Sequence, residues 1–408
     1  MMPWQRRRSR IRNVAKAINI ADLRDMARRR LPGFVFEYLE GGAEDEISLQ
    51  GNRDALASLR LIPRTLQDTS TRHQRIDLLG NRESSPLVIA PTGLNGLLHV
   101  HGDLGLARAA SDLGVTYTHS TVSTTRLEDV RANVEGRLWM QLYMFKNRDI
   151  AESILHRAAA SGYEALVFTT DANVFGNREW DKRNYWRPGR PRLSAKLDLI
   201  WHPHWLLEVL MLDQMPRLQN IAAYIPAAAS NAMAGSTVVP ALFDASLTWD
   251  DLKWIRRIWP NKLLLKGVLN VDDAKRAVGH GCDGIVITNH GGRQLDSCIA
   301  PIHMLPRIAA AVGEQTTLII DGGFQRGTEV VKALALGADA VMVGRSTLYG
   351  LAAGGEPGAR RALEILVGEI DRTLGLLGCR SISELEPQMV QETRMEGSLS
   401  VTSRDKWD

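Results

Sequence analysis

The segment TNHGGRQLD at residues 288–296 carries the strongest chemical signal in the chain. His290 follows a short apolar run, and a histidine can take up a proton near neutral pH. Arg293 lies three residues further on, and a guanidinium can hold a carboxylate through two parallel hydrogen bonds. An isolated histidine is more often structural. The neighbouring arginine favours instead a base that acts beside a bound anion.

A second polar segment follows another apolar run, ALVFT, at residue 165. Asp171 could orient the ring of His290 and stabilise its protonated form, although an aspartate here could also cap a helix. Arg178 offers a second cation for the same anion. Taken alone, an arginine in a long loop is usually only a solvated charge.

Two glycine-containing turns, DGGFQRG at 321 and VGRSTLYG at 343, indicate a phosphate site built from backbone N–H groups. The phosphate could belong to a cofactor or to a substrate. No GxGxxG motif follows the first apolar run, which disfavours a nicotinamide cofactor on a doubly wound sheet. Lys266 could stabilise charge on a reduced flavin, form the Schiff base of an aldolase, or lie on the surface. An aldolase would leave His290 and Arg293 less well explained.

These residues follow eight short apolar runs, each succeeded by a turn and, in most cases, an amphipathic helical pattern. Such repetition predicts an α/β fold, a (β/α)8 TIM barrel, whose catalytic groups lie at the carboxyl ends of the strands. The runs are PLVIAPTG at 86, VTYTHST at 115, LWMQLYM at 138, ALVFTTD at 165, LLLKGV at 263, GIVITNH at 284, TTLIIDGG at 316 and AVMVGRS at 340.

The rest of the chain is organised around this barrel. Residues 20–390 are predicted to form one domain that begins with a helical cap, between a basic, disordered tail at 1–19 and a second tail at 391–408. The long gap after the fourth run predicts an insertion over 190–247. Its apolar stretch with Trp201 and Trp205 resembles an interfacial membrane anchor, but it could equally pack on the barrel or at a subunit interface.

Composition narrows the class of protein. The 408 residues are 44% hydrophobic and 24% charged, as in soluble globular proteins, and no apolar run approaches the length that spans a bilayer. Three cysteines without a CxxC pair, and no histidine cluster, predict no metal site and a reducing cytoplasm. The basic tail could be merely solvated or attracted to anionic lipids, and no nucleic-acid-binding motif accompanies it.

From about residue 20 to 390, the chain resembles the FMN-dependent 2-hydroxy acid dehydrogenase and oxidase family. The resemblance is carried by YLEGGAEDE at 38, APTGLNG at 90, QLYMF at 141, FTTD at 168, LLKGV at 264, TNHGGRQLD at 288, DGGFQRG at 321 and ALALGADAVMVGR at 333. It implies a barrel enzyme that uses FMN to oxidise an (S)-2-hydroxy acid to the 2-keto acid. A non-redox flavin isomerase would lack the histidine and arginine pairing, and an inactive scaffold would be expected to have lost it.

The resemblance also implies a role for each matching residue. His290 is the catalytic base, supported by Asp171, and Tyr143 and Lys266 complete the catalytic set. Substrate binding is implied for Tyr38, Tyr143, Arg178 and Arg293. FMN binding is implied for Pro91, Thr92, Gly93, Ser120, Gln141, Thr169, Lys266 and Thr288, with the phosphate at Asp321, Gly322, Gly323, Phe324, Gln325, Gly344 and Arg345.

Within the family, Gly93 and the segment TTDANVFGNREWD are similar to the (S)-mandelate dehydrogenase branch, whereas WHPHW at 201 is similar to membrane-associated L-lactate dehydrogenases. Both branches imply a quinone-type electron acceptor at the membrane, and the family implies a homotetramer. The enzyme is expected in the cytoplasm, with peripheral contact on the inner face of the cell membrane through the insertion. A mandelate-like substrate is favoured, and the alternatives are an L-lactate dehydrogenase or an oxidase that converts oxygen to hydrogen peroxide. Gln325 stands where the family often has arginine, which removes a cation from the phosphate site.

Overall fold

The computed structural model describes residues 11–187, 190–211, 215–226, 230–231 and 239–393. Eight parallel strands close into a barrel, since the first and last pair with each other as well as with their sequence neighbours. The predicted (β/α)8 fold is confirmed. In chain order the strands are β1 (Leu87–Ile89), β2 (Thr116–His119), β3 (Leu138–Leu142), β4 (Ala165–Thr169), β5 (Lys262–Val268), β6 (Gly284–Ile287), β7 (Thr317–Asp321) and β8 (Ala340–Val343).

The barrel interior is a separate apolar cluster because side chains alternate across each strand. Val88, Val286 and Ile319 point inward, while their neighbours along the strands pack against the surrounding helices. A hairpin of two short strands, Ile76–Leu78 and Asn81–Glu83, contributes Leu78 to the same interior cluster.

Helices surround the barrel in the expected order. The helices that follow the eight strands are Gly102–Asp112, Leu127–Asn133, Arg148–Ala160, Trp249–Ile258, Val271–Gly279, Pro301–Val312, Gly327–Ala335 and Arg345–Leu377. The last is two helices joined at a kink, because Gly354 and Gly355 have non-helical backbone angles. Asn270 caps the start of one helix through its side chain, and the pair Thr248 and Asp251 forms a capping box at another.

The predicted cap consists of three helices, Ile20–Arg30, Gly33–Glu40 and Ile47–Ser58. The chain then passes through Leu59–Leu61, which pairs antiparallel with Val390–Glu392 near the other end of the domain. Short 3-10 helices occupy Val14–Lys16, Asn95–Leu97, Ile382–Glu384 and Pro387–Met389.

The insertion after β4 has an outer and an inner half. The outer half comprises Leu193–Asp198, the 3-10 turn Leu199–Trp201, Pro203–Trp205 and the π-helical turn Leu206–Met211. It is preceded by the helix Glu179–Asn184 and the strand pair Tyr185–Arg187 and Arg190–Pro191. The inner half, from residue 215 to 244, includes Ala222–Tyr224 and Val239–Leu242. Among the described residues, no helix is long and apolar enough to cross a membrane.

The two tryptophans of the outer half have different environments. Trp205 is fully buried and donates its indole N–H to the carbonyl of Leu97, 2.7 Å away. Trp201 is 81% exposed, and Leu193, Leu197 and Ile200 are also exposed. Their spacing places these four residues on one face of consecutive helical turns. One side of the segment therefore packs on the cap helices and on the loop after β1, and the other presents apolar side chains to the outside.

The ordered part of the chain begins before residue 20, where the sequence predicts its start. Residues 1–10, which carry most of its arginines, lie outside the described residues, as do 394–408 of the C-terminal tail. The prediction of disorder is wrong for residues 11–19, because Ala17 is fully buried and accepts hydrogen bonds from Arg361. Val14 packs beside Gly354 at the kink of the last helix, so apolar contacts order this segment despite its basic neighbours.

Candidate active site

Polar side chains meet at the carboxyl ends of six consecutive barrel strands. Gln141 at the end of β3 accepts from Ser120 and donates to Thr169, at 3.3 and 3.1 Å. On the other side, Asp321 accepts from Thr288 at 3.1 Å and lies 3.5 Å from the ammonium of Lys266. Lys266 is only 3% exposed, so its charge is held inside the barrel mouth. The sequence-predicted strand-end residues thus form one polar floor.

The histidine and aspartate predicted to pair do so. His290 Nδ1 lies 2.9 Å from Asp171 Oδ1, and both side chains are largely buried. Burial lowers the pKa of His290 below its ordinary value, although the Asp171 carboxylate opposes this shift. Burial works against the charge on Asp171, but His290 and Lys266 outweigh it and lower the pKa of that carboxyl. A neutral imidazole beside an ionised carboxylate is a base ready to accept a proton.

Tyr143 lies on the other side of the imidazole. Its hydroxyl is 3.4 Å from His290 Nε2, the ring nitrogen that does not face Asp171. Burial raises the pKa of Tyr143 well above its ordinary value, so the phenol keeps its proton at neutral pH. It can therefore donate a hydrogen bond to a group bound beside His290.

Two arginines and a second tyrosine line the same cavity. The guanidinium of Arg178 stacks 4.1 Å from the centre of the Phe175 ring, and that of Arg293 lies 5.2 Å from the centre of Tyr38. Arg293 also donates to the carbonyl of Gly41 in the cap, at 2.5 Å. The cap therefore brings Tyr38 to the barrel mouth, where it and both predicted cations line one cavity.

The left-handed backbone at 290–292 explains the two glycines of the motif. His290, Gly291 and Gly292 have φ values of 58°, 64° and 75°. A side chain on Gly292 would come within 2.5 Å of the backbone of Leu49 in the cap. Glycine is thus required both by the conformation and by the close approach of the cap helix.

The contacts of the phosphate turn differ in part from those that the family resemblance implies. The carboxylate of Asp321 faces Lys266 and would repel a phosphate, so only its backbone suits that role. The N–H of Gln325 already donates to Glu329 at 2.7 Å. Arg345 donates to the carbonyls of Leu39, Gly291 and Gly41, while burial, reinforced by Arg293, lowers its pKa to about 10.

The cavity suits a flavin nucleotide in its composition. It has a volume of about 300 Å3 and is lined both by His290 and by Gly323, Phe324, Gln325 and Gly344 of the two glycine-containing turns. Pro91, Thr92 and Gly93 line it beside the buried ammonium of Lys266. A side chain on Gly93 would lie 2.5 Å from Val122, so this wall admits no larger residue without movement. A polar floor, an internal cation and glycine turns fit the ring system and phosphate of FMN.

Two residues of the site were missed from the sequence. The amide of Gln294 donates to the carbonyls of Asp171 and Val174, at 2.7 and 3.1 Å, and so ties the aspartate loop to the histidine loop. Arg53 reaches the cavity from the third cap helix, where it pairs with Glu329 and donates to the carbonyl of Gly323. No local motif marks Arg53, because its role depends on how the cap docks. Gln294 adjoins Arg293 in the predicted motif, but its spacing gives no indication of its partners.

Comparison with known proteins gives a consistent result. The family model described as FMN-dependent dehydrogenase matches residues 27–392. The chain is 44% identical to (S)-mandelate dehydrogenase of Pseudomonas putida over 374 residues, which cover 91% of this chain and 93% of the relative. It is 38% identical to L-lactate dehydrogenase of Alcaligenes faecalis, over 90% of this chain and 97% of the relative.

A solved structure, that of the monotopic membrane protein (S)-mandelate dehydrogenase, superposes with a TM-score of 0.88 at 43% identity. It covers 93% of this chain and 100% of that one. The chain therefore belongs to the FMN-dependent 2-hydroxy acid dehydrogenase family and is an oxidoreductase that uses FMN.

Proposed function

We propose that the protein oxidises an (S)-2-hydroxy acid with an aromatic or other large apolar substituent, such as (S)-mandelate, to the 2-keto acid. The observation that carries the proposal is the 2.9 Å contact between His290 and Asp171, with Tyr143 at the opposite ring nitrogen. It is supported by the two guanidiniums that line the same cavity. L-lactate is the second candidate, because the chain is also 38% identical to L-lactate dehydrogenases.

Each residue has a separate task in this reaction. Arg178 and Arg293 hold the substrate carboxylate, and Tyr38 and Tyr143 donate hydrogen bonds on the carboxylate and hydroxyl side. The Nε2 atom of His290 accepts the proton that the substrate loses. Asp171 is ionised and stabilises the imidazolium that results, as in other histidine and carboxylate pairs.

FMN is proposed to bind over the polar floor. Ser120, Gln141, Thr169 and Thr288 would hold its polar edge, and the loop of Pro91, Thr92 and Gly93 would contact its face. When bound, FMN accepts the two electrons of the oxidation, and Lys266 is placed to stabilise the negative charge that then develops. The phosphate would be held by backbone N–H groups of the turns at Gly322–Phe324 and Gly344, and Arg53 and Arg345 are cations that line the same cavity.

A quinone-type acceptor and peripheral attachment to the inner face of the cell membrane are proposed for the second half of the reaction. The proposal is supported by the exposed apolar face of residues 193–211 and by the likeness to a monotopic membrane protein. Oxygen is the alternative acceptor and would yield hydrogen peroxide. The homotetramer implied by the sequence resemblance stays a prediction.

The test is an anaerobic titration of the FMN-loaded protein with (S)-mandelate and, separately, with L-lactate, followed by absorbance of the oxidised flavin. Bleaching by mandelate at lower concentration than by lactate is expected, with reoxidation faster by a soluble quinone analogue than by oxygen. Bleaching by lactate alone would favour the second candidate. If bound flavin is bleached by neither acid, the proposed substrate class is wrong.

A further inference from the structure

The substrate cavity has a charged side and an apolar side. The charged side is formed by His290, Arg178 and Arg293, which hold the reacting carbon and the carboxylate in the proposed reaction. The substituent on the reacting carbon must then contact an apolar part of the lining. The apolar lining that comes from the loops after β2 and β4 consists of Val122, Phe175, Leu218, Val239 and Phe243.

Three of these five apolar residues come from the inner half of the insertion. Leu218, Val239 and Phe243 are all buried, although they belong to a segment that leaves the barrel after β4 and returns before the next helix. The insertion is thus part of the cavity wall as well as a surface feature.

Phe243 is held more firmly than a loop residue usually is. Its neighbours Leu242 and Asp244 pair with the segment after β3, through Lys146 N–H to Leu242 at 3.0 Å and Asp244 N–H to Met144 at 3.0 Å. Arg148 adds an ion pair of 2.6 Å to Asp244. The aromatic ring is therefore fixed by backbone pairing on both sides.

The ring of Phe243 lies between two aromatic neighbours. It stacks on Tyr143 with centroids 4.7 Å apart and planes at 29°, and its other contact is edge-on to Phe145, at 5.4 Å and 68°. Stacking of this kind contributes stability beyond buried area alone. The hydroxyl of Tyr143 also lies 3.4 Å from His290 Nε2. The position of Phe243 therefore affects where that hydroxyl lies relative to the base.

We infer that Phe243 both positions Tyr143 and forms the aromatic wall that selects 2-hydroxy acids with an aryl substituent over those with a methyl group. The inference rests on the proposed oxidation of 2-hydroxy acids. A flat ring fixed in the wall offers an aryl group an aromatic partner. A methyl group is too small to reach comparable contact, so its binding depends little on the ring.

The experiment compares Phe243→Leu with Phe145→Leu in the FMN-loaded protein. Rapid anaerobic mixing separates the apparent substrate Kd from the limiting rate of flavin reduction, for (S)-mandelate and for L-lactate. Phe243→Leu is expected to raise the Kd for mandelate about tenfold and that for lactate less than about twofold. The limiting rate should fall with both acids, because the phenol of Tyr143 loses its support.

Phe145→Leu is the matched control, since Phe145 is buried beside Phe243 and does not line the cavity. It should leave the ratio of the two Kd values at the wild-type value, and Phe243→Tyr, which keeps the ring, should do the same. The ratio is measured within each variant and is insensitive to the fraction that folds. An unchanged ratio in Phe243→Leu, or a wild-type protein that prefers lactate, overturns the inference but leaves the oxidation of 2-hydroxy acids intact. A wild-type flavin that neither acid reduces contradicts the proposed function itself.

Discussion

The backbone of His290 is held in a conformation that residues other than glycine rarely adopt. Its φ of 58° places it in the left-handed region, and its N–H is fixed by a 2.9 Å hydrogen bond to the hydroxyl of Thr288. Such a residue costs on the order of 1–3 kcal/mol and persists only where its surroundings enforce it. Here the strain directs the imidazole into the cavity, with one nitrogen at Asp171 and the other at Tyr143.

The Asp171→Asn variant tests how the carboxylate acts on the base. The ionised carboxylate raises the pKa of His290 against the effect of burial, so its removal lowers that pKa further. Because the neutral imidazole is the active form, kcat/KM rises with pH through this pKa. We therefore expect the acidic limb of the profile to move to lower pH. The plateau should fall about 10²–10⁴-fold, because the imidazolium formed during turnover loses its counterion.

The measurement is kcat/KM for the preferred acid between pH 4.5 and 8, with flavin content checked at each pH. His290→Ala serves as the reference that has no base at all. A limb that stays in place or moves to higher pH in Asp171→Asn would mean that another group controls the profile.

At the scale of elements, the sequence predicts the barrel strands well because each is a short apolar run between turns. Each of the eight predicted runs overlaps a strand of the closed barrel, and the two begin within one residue of each other. Contacts between distant elements are less accessible to such reasoning. The docking of Arg53 against Gly323 and the stacking of Phe243 on Tyr143 depend on packing that no local pattern encodes.

The outer half of the insertion allows a direct test of membrane attachment. Ile200 and Trp201 are 67% and 81% exposed, so serine at both positions removes apolar area without opening the core. We expect the double variant to keep its activity with a soluble quinone analogue. Its binding to vesicles of phosphatidylcholine and phosphatidylglycerol in a sedimentation assay should weaken at least tenfold.

Leu376→Ser is the matched control for that experiment, because Leu376 is an exposed leucine on the last helix rather than on the insertion. It should bind vesicles as the wild type does. Equal binding by all three proteins would place membrane contact elsewhere on the chain, and no binding by the wild type would contradict attachment altogether.

On the scale of the whole molecule, the cap and the barrel meet through arginine side chains and the carbonyl of Gly41. Arg293, in the loop after β6, and Arg345, at the start of the last helix, both donate to this one oxygen. Arg53 of the third cap helix makes a further contact, to the carbonyl of Gly323 in the turn after β7. A flavin nucleotide bound in this cavity would contact both the cap and the barrel. Its binding free energy would then add to the stability of the folded state in which the two are docked.

Arg53→Gln tests this link. Excess FMN should raise the Tm of the wild-type apoprotein, since a ligand at about 100 times its Kd stabilises the native state by about 2.7 kcal/mol. We expect the variant to show a smaller rise and a Kd for FMN at least tenfold higher in a fluorescence-quenching titration, because a cation of the cavity is lost.

Arg326→Gln is the control for this titration. Arg326 adjoins Gln325, but its guanidinium turns away to Glu369. Its removal should lower the Tm with and without FMN alike and leave the Kd unchanged. If Arg53→Gln and the wild type bind FMN equally, Arg53 has no part in holding the phosphate.

The division of the insertion into two halves has a consequence for how such enzymes diversify. The exposed apolar residues lie between 193 and 211, whereas the residues that line the cavity lie at 218, 239 and 243. The two sets share no residue. Under the proposed function, membrane attachment and the choice of acid are therefore traits that selection can alter one at a time, within a single loop of the barrel.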